Sequence, residues 1–152
     1  MILNKKFALF LSIIAGLAIT TCENALADEF EQIFTQKYKN EMVPELRLSK
    51  IDRYKAQGLS EAQINRELDK LADKAAGCQF KTFQAYEKKY QQVAFNALLK
   101  GATTEDAALR LNEALDTDVD KGTIAANEVS RRVKNAINIY AACVVHSGLV
   151  DK

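Results

Sequence analysis

The chain has little of what most catalytic and cofactor-binding sites require. Its 152 residues include one histidine, His146, and one proline, Pro44. There is no glycine-rich phosphate loop, no HExxH or CxxCH motif and no serine-centred nucleophile elbow. These absences argue against a metallohydrolase, a nucleotide-dependent enzyme and a c-type cytochrome. An envelope hydrolase with dispersed carboxylates stays open, because paired carboxylates leave no local motif.

A net excess of positive or negative charge is also lacking. Without residues 1–27, the 21 basic and 20 acidic residues fall to 19 of each, because Lys5, Lys6 and Glu23 are removed. A neutral chain has no excess of basic residues to neutralise phosphates, so nucleic acid is not an expected partner. Residues 28–152 fit a single domain.

The first 27 residues have the order of a secretory signal peptide. Two lysines precede an uncharged run, residues 7–21, and Ala25-Leu26-Ala27 forms an A-x-A cleavage site. A run of about 15 residues is shorter than the about 20 that span a membrane. We therefore expect cleavage after Ala27, a periplasmic or secreted product, and no integral membrane segment in it.

Cys22 closes the apolar run and is a candidate lipidation site. Lipoprotein signal peptidases require a small residue just before the modified cysteine, and Thr20 and Thr21 match that requirement poorly. We therefore expect ordinary signal cleavage instead of a lipid anchor at Cys22.

Cys78 and Cys143 are the only cysteines in residues 28–152. In an oxidising compartment a lone pair of cysteines is most simply a disulfide. This bond closes a loop of about 66 residues, which in the chain-entropy model stabilises the fold by about 4 kcal/mol.

Helix-favouring residues dominate, and runs of alternating β-branched residues are few. The fold predicted is all-α, an irregular bundle of five or six helices with a four-helix core. Ser60 with Gln63, and Thr103 or Thr104, are typical helix starts. Helix ends are predicted at proline and glycine, namely at Pro44, Gly58, Gly77, Gly101 and Gly122.

Two long core-facing helices are predicted, over residues 78–100 and 123–146. Their apolar residues repeat at spacings of three and four, and in the second helix they are Val129, Val133, Ile137, Tyr140 and Val144. The disulfide would join the start of the first helix to the end of the second, so we expect the two to run antiparallel.

His146 follows Cys143 by three residues and therefore shares one face of a helix with it. The pair has the composition of a nucleophile with its base, or of half a metal site. A disulfide at Cys143 removes the nucleophile, and His146 is then expected to interact with the last carbonyls of its helix before Gly148.

Residues 116–128 resemble an EF-hand calcium loop, which supplies hard oxygen ligands at alternate positions and a distal glutamate. The resemblance implies calcium as a possible cofactor, with a Thr123 carbonyl and a bidentate Glu128 among the ligands. Lys121 makes this loop one residue longer than the pattern. The alternative is a solvated turn in which Asp118 or Asp120 caps the final helix. In the calcium-loop interpretation, the implied ligands besides Thr123 and Glu128 are Asp116, Asp118 and Asp120.

Residues 59–63, Leu-Ser-Glu-Ala-Gln, resemble the Leu-Thr-x-x-Gln signature of a family of helical periplasmic chaperones. Those chaperones carry the signature twice and are rich in methionine, so we interpret this segment as a helix start and not as membership.

The sequence therefore predicts a non-enzymatic periplasmic protein that binds another envelope or secreted protein, as inhibitors, immunity proteins and envelope chaperones do. A calcium-binding module is the alternative from a different class, and the dispersed-carboxylate hydrolase is the third.

Overall fold

The computed structural model describes the backbone of residues 5–149 and the side chains of residues 27–149. Among these residues there are five helices and no strand, so the predicted all-α bundle is confirmed. The helices are α1 (Lys5–Ala56), α2 (Glu61–Phe83), α3 (Lys88–Leu99), α4 (Thr104–Asp120) and α5 (Ala126–Ser147). The chain forms two units, residues 1–32 and 33–152, and the disulfide and the packed helix pairs lie in the second.

Helices α2 and α5 pack side by side, and the predicted disulfide joins them. The Cα atoms of Cys78 and Cys143 are 5.4 Å apart, within the usual range for a disulfide. One turn earlier in α2, the Lys74 ammonium donates a hydrogen bond of 3.0 Å to the carbonyl of Ser147, one turn later in α5. The two helices therefore run antiparallel.

The second packed pair is α3 with α4, and α1 contacts both pairs through side chains. The Phe34 ring of α1 lies 5.7 Å from the ring of Phe80 and 5.0 Å from that of Phe83, both on α2. Glu41 of α1 accepts hydrogen bonds from the backbone N–H and the hydroxyl of Thr104. That carboxylate satisfies a donor that the first turn of α4 otherwise leaves unpaired.

The predicted helix end at Pro44 is wrong, because α1 continues through it to Ala56. Contacts on both sides of the proline hold this part of α1 against α2. Lys39 pairs with Asp73 at 3.0 Å before Pro44, and Arg47 pairs with Glu61 after it. A proline inside a helix removes one backbone hydrogen bond, and these tertiary contacts offset part of that loss.

The predicted helix over residues 78–100 is also wrong in its bounds. Helix α2 passes through Gly77, where a side chain would meet open space, and ends at Phe83. A turn over residues 84–87 then leads into α3, and the Gln91 side-chain amide donates to the Tyr86 carbonyl across it. The antiparallel partner of the last helix is therefore α2 and not a helix starting at Cys78.

The apolar stripe of α5 faces the core only in part, because Val129, Tyr140 and Val144 are half-buried whereas Val133 and Ile137 are exposed. Ala136 is the only buried residue among those of α5. Val133 is 38% exposed and Ile137 is 61% exposed, whereas Tyr140 is half-buried. This helix therefore presents to solvent much of a face that its sequence makes apolar.

We expect Cys78→Ser to lower the free energy of unfolding by about 4 kcal/mol, because the open loop gains conformational freedom in the unfolded chain. Urea unfolding of oxidised wild type and variant measures the difference. Cys78→Ser combined with Cys143→Ser is the control, because it removes the bond without leaving a free thiol. Two reactive thiols in wild-type protein from an oxidising compartment would contradict the assignment.

Candidate functional site

The three aspartates of the proposed calcium loop lie on a helix and not in a loop. Helix α4 extends through Asp120 and so includes all three aspartates. Residues two apart on a helix do not face each other, so Asp116, Asp118 and Asp120 do not converge. Among the described side chains, no group of three or more His, Cys, Asp or Glu is placed to hold a metal ion.

Asp118 already has two partners from α3. The Lys89 ammonium donates to Asp118 Oδ2 at 2.6 Å, and the Tyr90 hydroxyl donates to the same oxygen at 2.7 Å. The hydrogen bond from Lys89, followed by that from Tyr90, holds the pKa of the Asp118 carboxyl below its usual value. Asp118 therefore connects α4 to α3. Its carboxylate also accepts the hydrogen bond that the hydroxyl of the buried Tyr90 requires.

The two other predicted ligands lie in separate contacts. The Thr123 backbone N–H and hydroxyl both donate to the Asp118 carbonyl at 2.9 Å and close the turn after α4. Glu128 accepts from Arg131 at 2.6 Å and from Arg132 at 3.1 Å. Helix α5 begins after Ala125, which gives no side-chain cap, so the predicted aspartate cap is wrong.

A charged cleft of about 630 Å³ lies beside α5 and includes two glutamates, Glu87 and Glu128. Arg132 forms ion pairs with both, and its Nη1 is buried with no hydrogen-bond partner among the described residues. The hydrogen bond from Arg131 lowers the pKa of Glu128, whereas a general acid at neutral pH needs a raised one. This geometry favours ion pairing by the two glutamates.

The Cys143–His146 pair has no nucleophile, because Cys143 is in the disulfide. The His146 Nδ1 atom lies 3.0 Å from the Ala142 carbonyl oxygen, one turn earlier. Gly148 ends the helix in the left-handed conformation, with φ of 64°. His146 therefore contacts the carbonyl one turn earlier in α5 and not the last carbonyls of the helix.

An apolar groove lies between α4 and α5, with the end of α2 beside it. Its cavity volume is about 270 Å³, and none of the residues that line it is charged. The polar lining consists of Gln79, Thr82, Asn112 and the Tyr86 side chain. The apolar groove is defined by seven further residues: Phe83, Ala108, Leu111, Val133, Ala136, Ile137 and Tyr140.

The groove exists because its two walls belong to different helix pairs. Helix α4 packs against α3 and helix α5 against α2, so α4 and α5 are not closely packed against each other. Burial raises the pKa of the Tyr86 hydroxyl, which therefore stays protonated at neutral pH and can donate a hydrogen bond at the groove edge. The result is a neutral, apolar surface with polar groups only at its margins.

The sequence identified Val133, Ile137 and Tyr140 only as residues of an apolar helical stripe. It gave no signal for Leu111 or Asn112, because these residues line the groove only through the placement of α4 opposite α5. Comparisons with protein-family models, with curated proteins and with solved structures find no match to this chain.

We expect no saturable calcium binding at residues 116–128. A metal there would have to unwind the last turn of α4 and displace Lys89 from Asp118. A calcium titration by calorimetry measures this directly, with Asp118→Ala as the matched variant. Binding to the wild type that is lost in Asp118→Ala would contradict the expectation and establish the calcium module.

We expect Asp118→Asn to have a lower free energy of unfolding than the wild type at pH 7. This difference should be smaller at acid pH. The pKa of Asp118 is lowered in the folded state, so its stabilising effect is present above the ordinary value of 3.8 and is lost as the pH falls below it. Urea midpoints at pH 7 and at about pH 3 measure the margin. Asp116→Asn, two residues away on the same helix and without a described partner, should match the wild type at both pH values.

Proposed function

We propose that this chain is a non-enzymatic, exported helical protein that binds another protein through the apolar groove. The observation that carries the proposal is the exposed apolar face of α5. A core-type stripe at helical spacing runs along this helix, yet only Ala136 is buried. Contiguous apolar surface next to a groove is typical of interaction sites, whereas single exposed apolar residues are ordinary.

The dimensions of the groove favour a protein side chain over a small-molecule ligand. Small-molecule pockets usually measure about 300–1,000 Å³ and enclose most of the ligand. This groove measures about 270 Å³ and is lined along one side by exposed Val133 and Ile137. A partner helix with apolar residues at spacings of three and four fits such a surface.

Two tyrosines border the groove and supply the residue type that dominates protein interfaces. Tyr86 and Tyr140 are both half-buried, so their rings are held by the fold while part of each faces solvent. Rings ordered before binding contribute contact area at little cost in side-chain entropy. They are the anchors that we expect a partner to cover.

The N-terminal signal pattern and the disulfide support an exported location, with cleavage after Ala27 in the periplasm as the specific proposal. Among the described residues, no helix is long and apolar enough to cross a membrane. An envelope or secreted protein is then the expected class of partner, of the kind that inhibitors, immunity proteins or chaperones bind.

We expect Ile137→Asp to reduce partner capture by more than about tenfold, because a charge in the apolar groove stays desolvated and unpaired in the complex. Ile137 is 61% exposed, so the fold should be retained. Oxidised protein is immobilised, and the proteins that it retains from periplasmic extract are quantified.

The matched control is Leu48→Asp, at a leucine that is 84% exposed on α1 and outside the groove. The Leu48→Asp variant should retain the same amount of partner as the wild type does. Absence of a stoichiometric partner, or equal loss of capture in both variants, would contradict the proposal.

A further inference from the structure

We infer that the apolar groove also takes α5 of a second copy of this chain, forming a two-fold symmetric dimer that covers the binding surface. The inference rests on the proposed function in one respect, since it assigns an occupant to the same groove. It adds a mode of regulation: self-association and partner binding compete for one surface.

The first argument is that one patch holds both complementary parts. Val133 and Ile137 form an exposed apolar ridge on α5, and the groove between α5 and α4 lies directly beside them. A two-fold contact uses the same patch on both copies, so the patch must be complementary to itself. A ridge next to a groove meets that requirement, because each ridge faces the other copy's groove.

The second argument is that α5 has the pattern such a groove accepts. Helix-in-groove recognition uses apolar anchors spaced by three or four residues on one face. In α5 these anchors are Val133, Ile137, Tyr140 and Val144, and none of them is fully buried within its own chain.

The third argument is the charge on either side of the neutral groove. Helix α4 carries Glu105 and Asp116, the latter one turn beyond the groove residue Asn112. Helix α5 carries Lys134 next to Val133. All three charged residues have no ion pair within the described part of the chain. A two-fold contact that lays α5 of one copy along α4 of the other brings a helix with three basic residues and one acidic residue against a helix with six acidic residues and one basic residue.

Sedimentation equilibrium on oxidised, signal-cleaved protein from the periplasm, over a wide concentration range, tests the inference. We expect a reversible wild-type dimer whose Kd rises by more than about tenfold in Ile137→Asp and stays unchanged in Leu48→Asp. Circular dichroism and thermal unfolding confirm that both variants fold. A wild type that is monomeric at every concentration would overturn the inference, as would equal weakening in both variants.

Lys134→Glu tests the orientation. It adds a negative charge to the helix that faces the acidic α4 of the second copy, so we expect a weaker dimer. Lys50→Glu, on α1 and away from the groove, should leave the Kd unchanged. An unchanged Kd in Lys134→Glu would overturn the docking of α5 along α4.

Failure of the dimer and failure of the proposed function are distinguishable. A photoreactive residue at position 137 in living cells reports both, because mass spectrometry identifies each crosslinked product. Crosslinks to another protein with a monomeric purified chain support the proposed function and overturn self-association. Crosslinks only between copies, with none to another protein, support the dimer and contradict the proposed function.

Discussion

The disulfide between α2 and α5 is the constraint on which the rest of the arrangement depends. A surface helix normally stays attached by burying an apolar stripe, and that burial supplies most of its stability. Helix α5 fully buries only Ala136, and Val129, Tyr140 and Val144 are half-buried, so burial supplies only part of its attachment. The bond from Cys78 to Cys143 attaches it to α2, and the ion pair of Arg132 with Glu87 attaches it to the turn before α3.

Because covalent attachment replaces burial, the apolar residues of α5 are available for another purpose. Val133 and Ile137 can remain at the surface without loss of the helix from the bundle. The same attachment keeps α5 with α2 while α4 stays with α3, which leaves the groove between the two pairs. The open face and the groove are thus two results of one constraint.

Local signals in the sequence predicted the helix ends where the chain itself supplies the capping group. Ser60 and Gln63 form the reciprocal capping box, and the Thr103 hydroxyl accepts from the Asp106 N–H. Gly58, with φ of 78°, ends α1 as predicted. These features depend on neighbouring residues only, so a single sequence is sufficient to predict them.

Predictions failed where distant contacts decided the outcome. Helix α1 passes Pro44, where Arg47 and Lys39 bind α2 on either side of it, and nothing local to the proline indicates these contacts. Likewise, an apolar stripe predicts that one face of a helix is buried, but it does not indicate whether the same chain or another molecule buries that face. The groove could not be predicted for the same reason, because it is the space left between two helix pairs and depends on their tertiary packing.

The aspartate-rich segment shows how helix propagation can override a ligand motif. Alternate carboxylates converge on a metal only where the backbone turns irregularly, as in a calcium loop. Here the backbone stays helical to Asp120, and Asp118 makes its contacts with α3. A lysine and a tyrosine hydroxyl satisfy that carboxylate at no cost of unwinding the helix. The ion pair and the helix therefore reinforce each other, and both oppose the rearrangement that a metal would require.

The proposed export of the chain and the existence of the groove are physically connected. Without the disulfide, α5 would depend on one fully buried alanine, its half-buried apolar residues, the ion pair of Arg132 with Glu87 and the Lys74 contact. We expect the helix to detach more often in the reduced chain, so that Val133 and Ile137 no longer stand opposite α4. The groove is then a property of the oxidised protein, which suits an export pathway that oxidises cysteines before any partner is met.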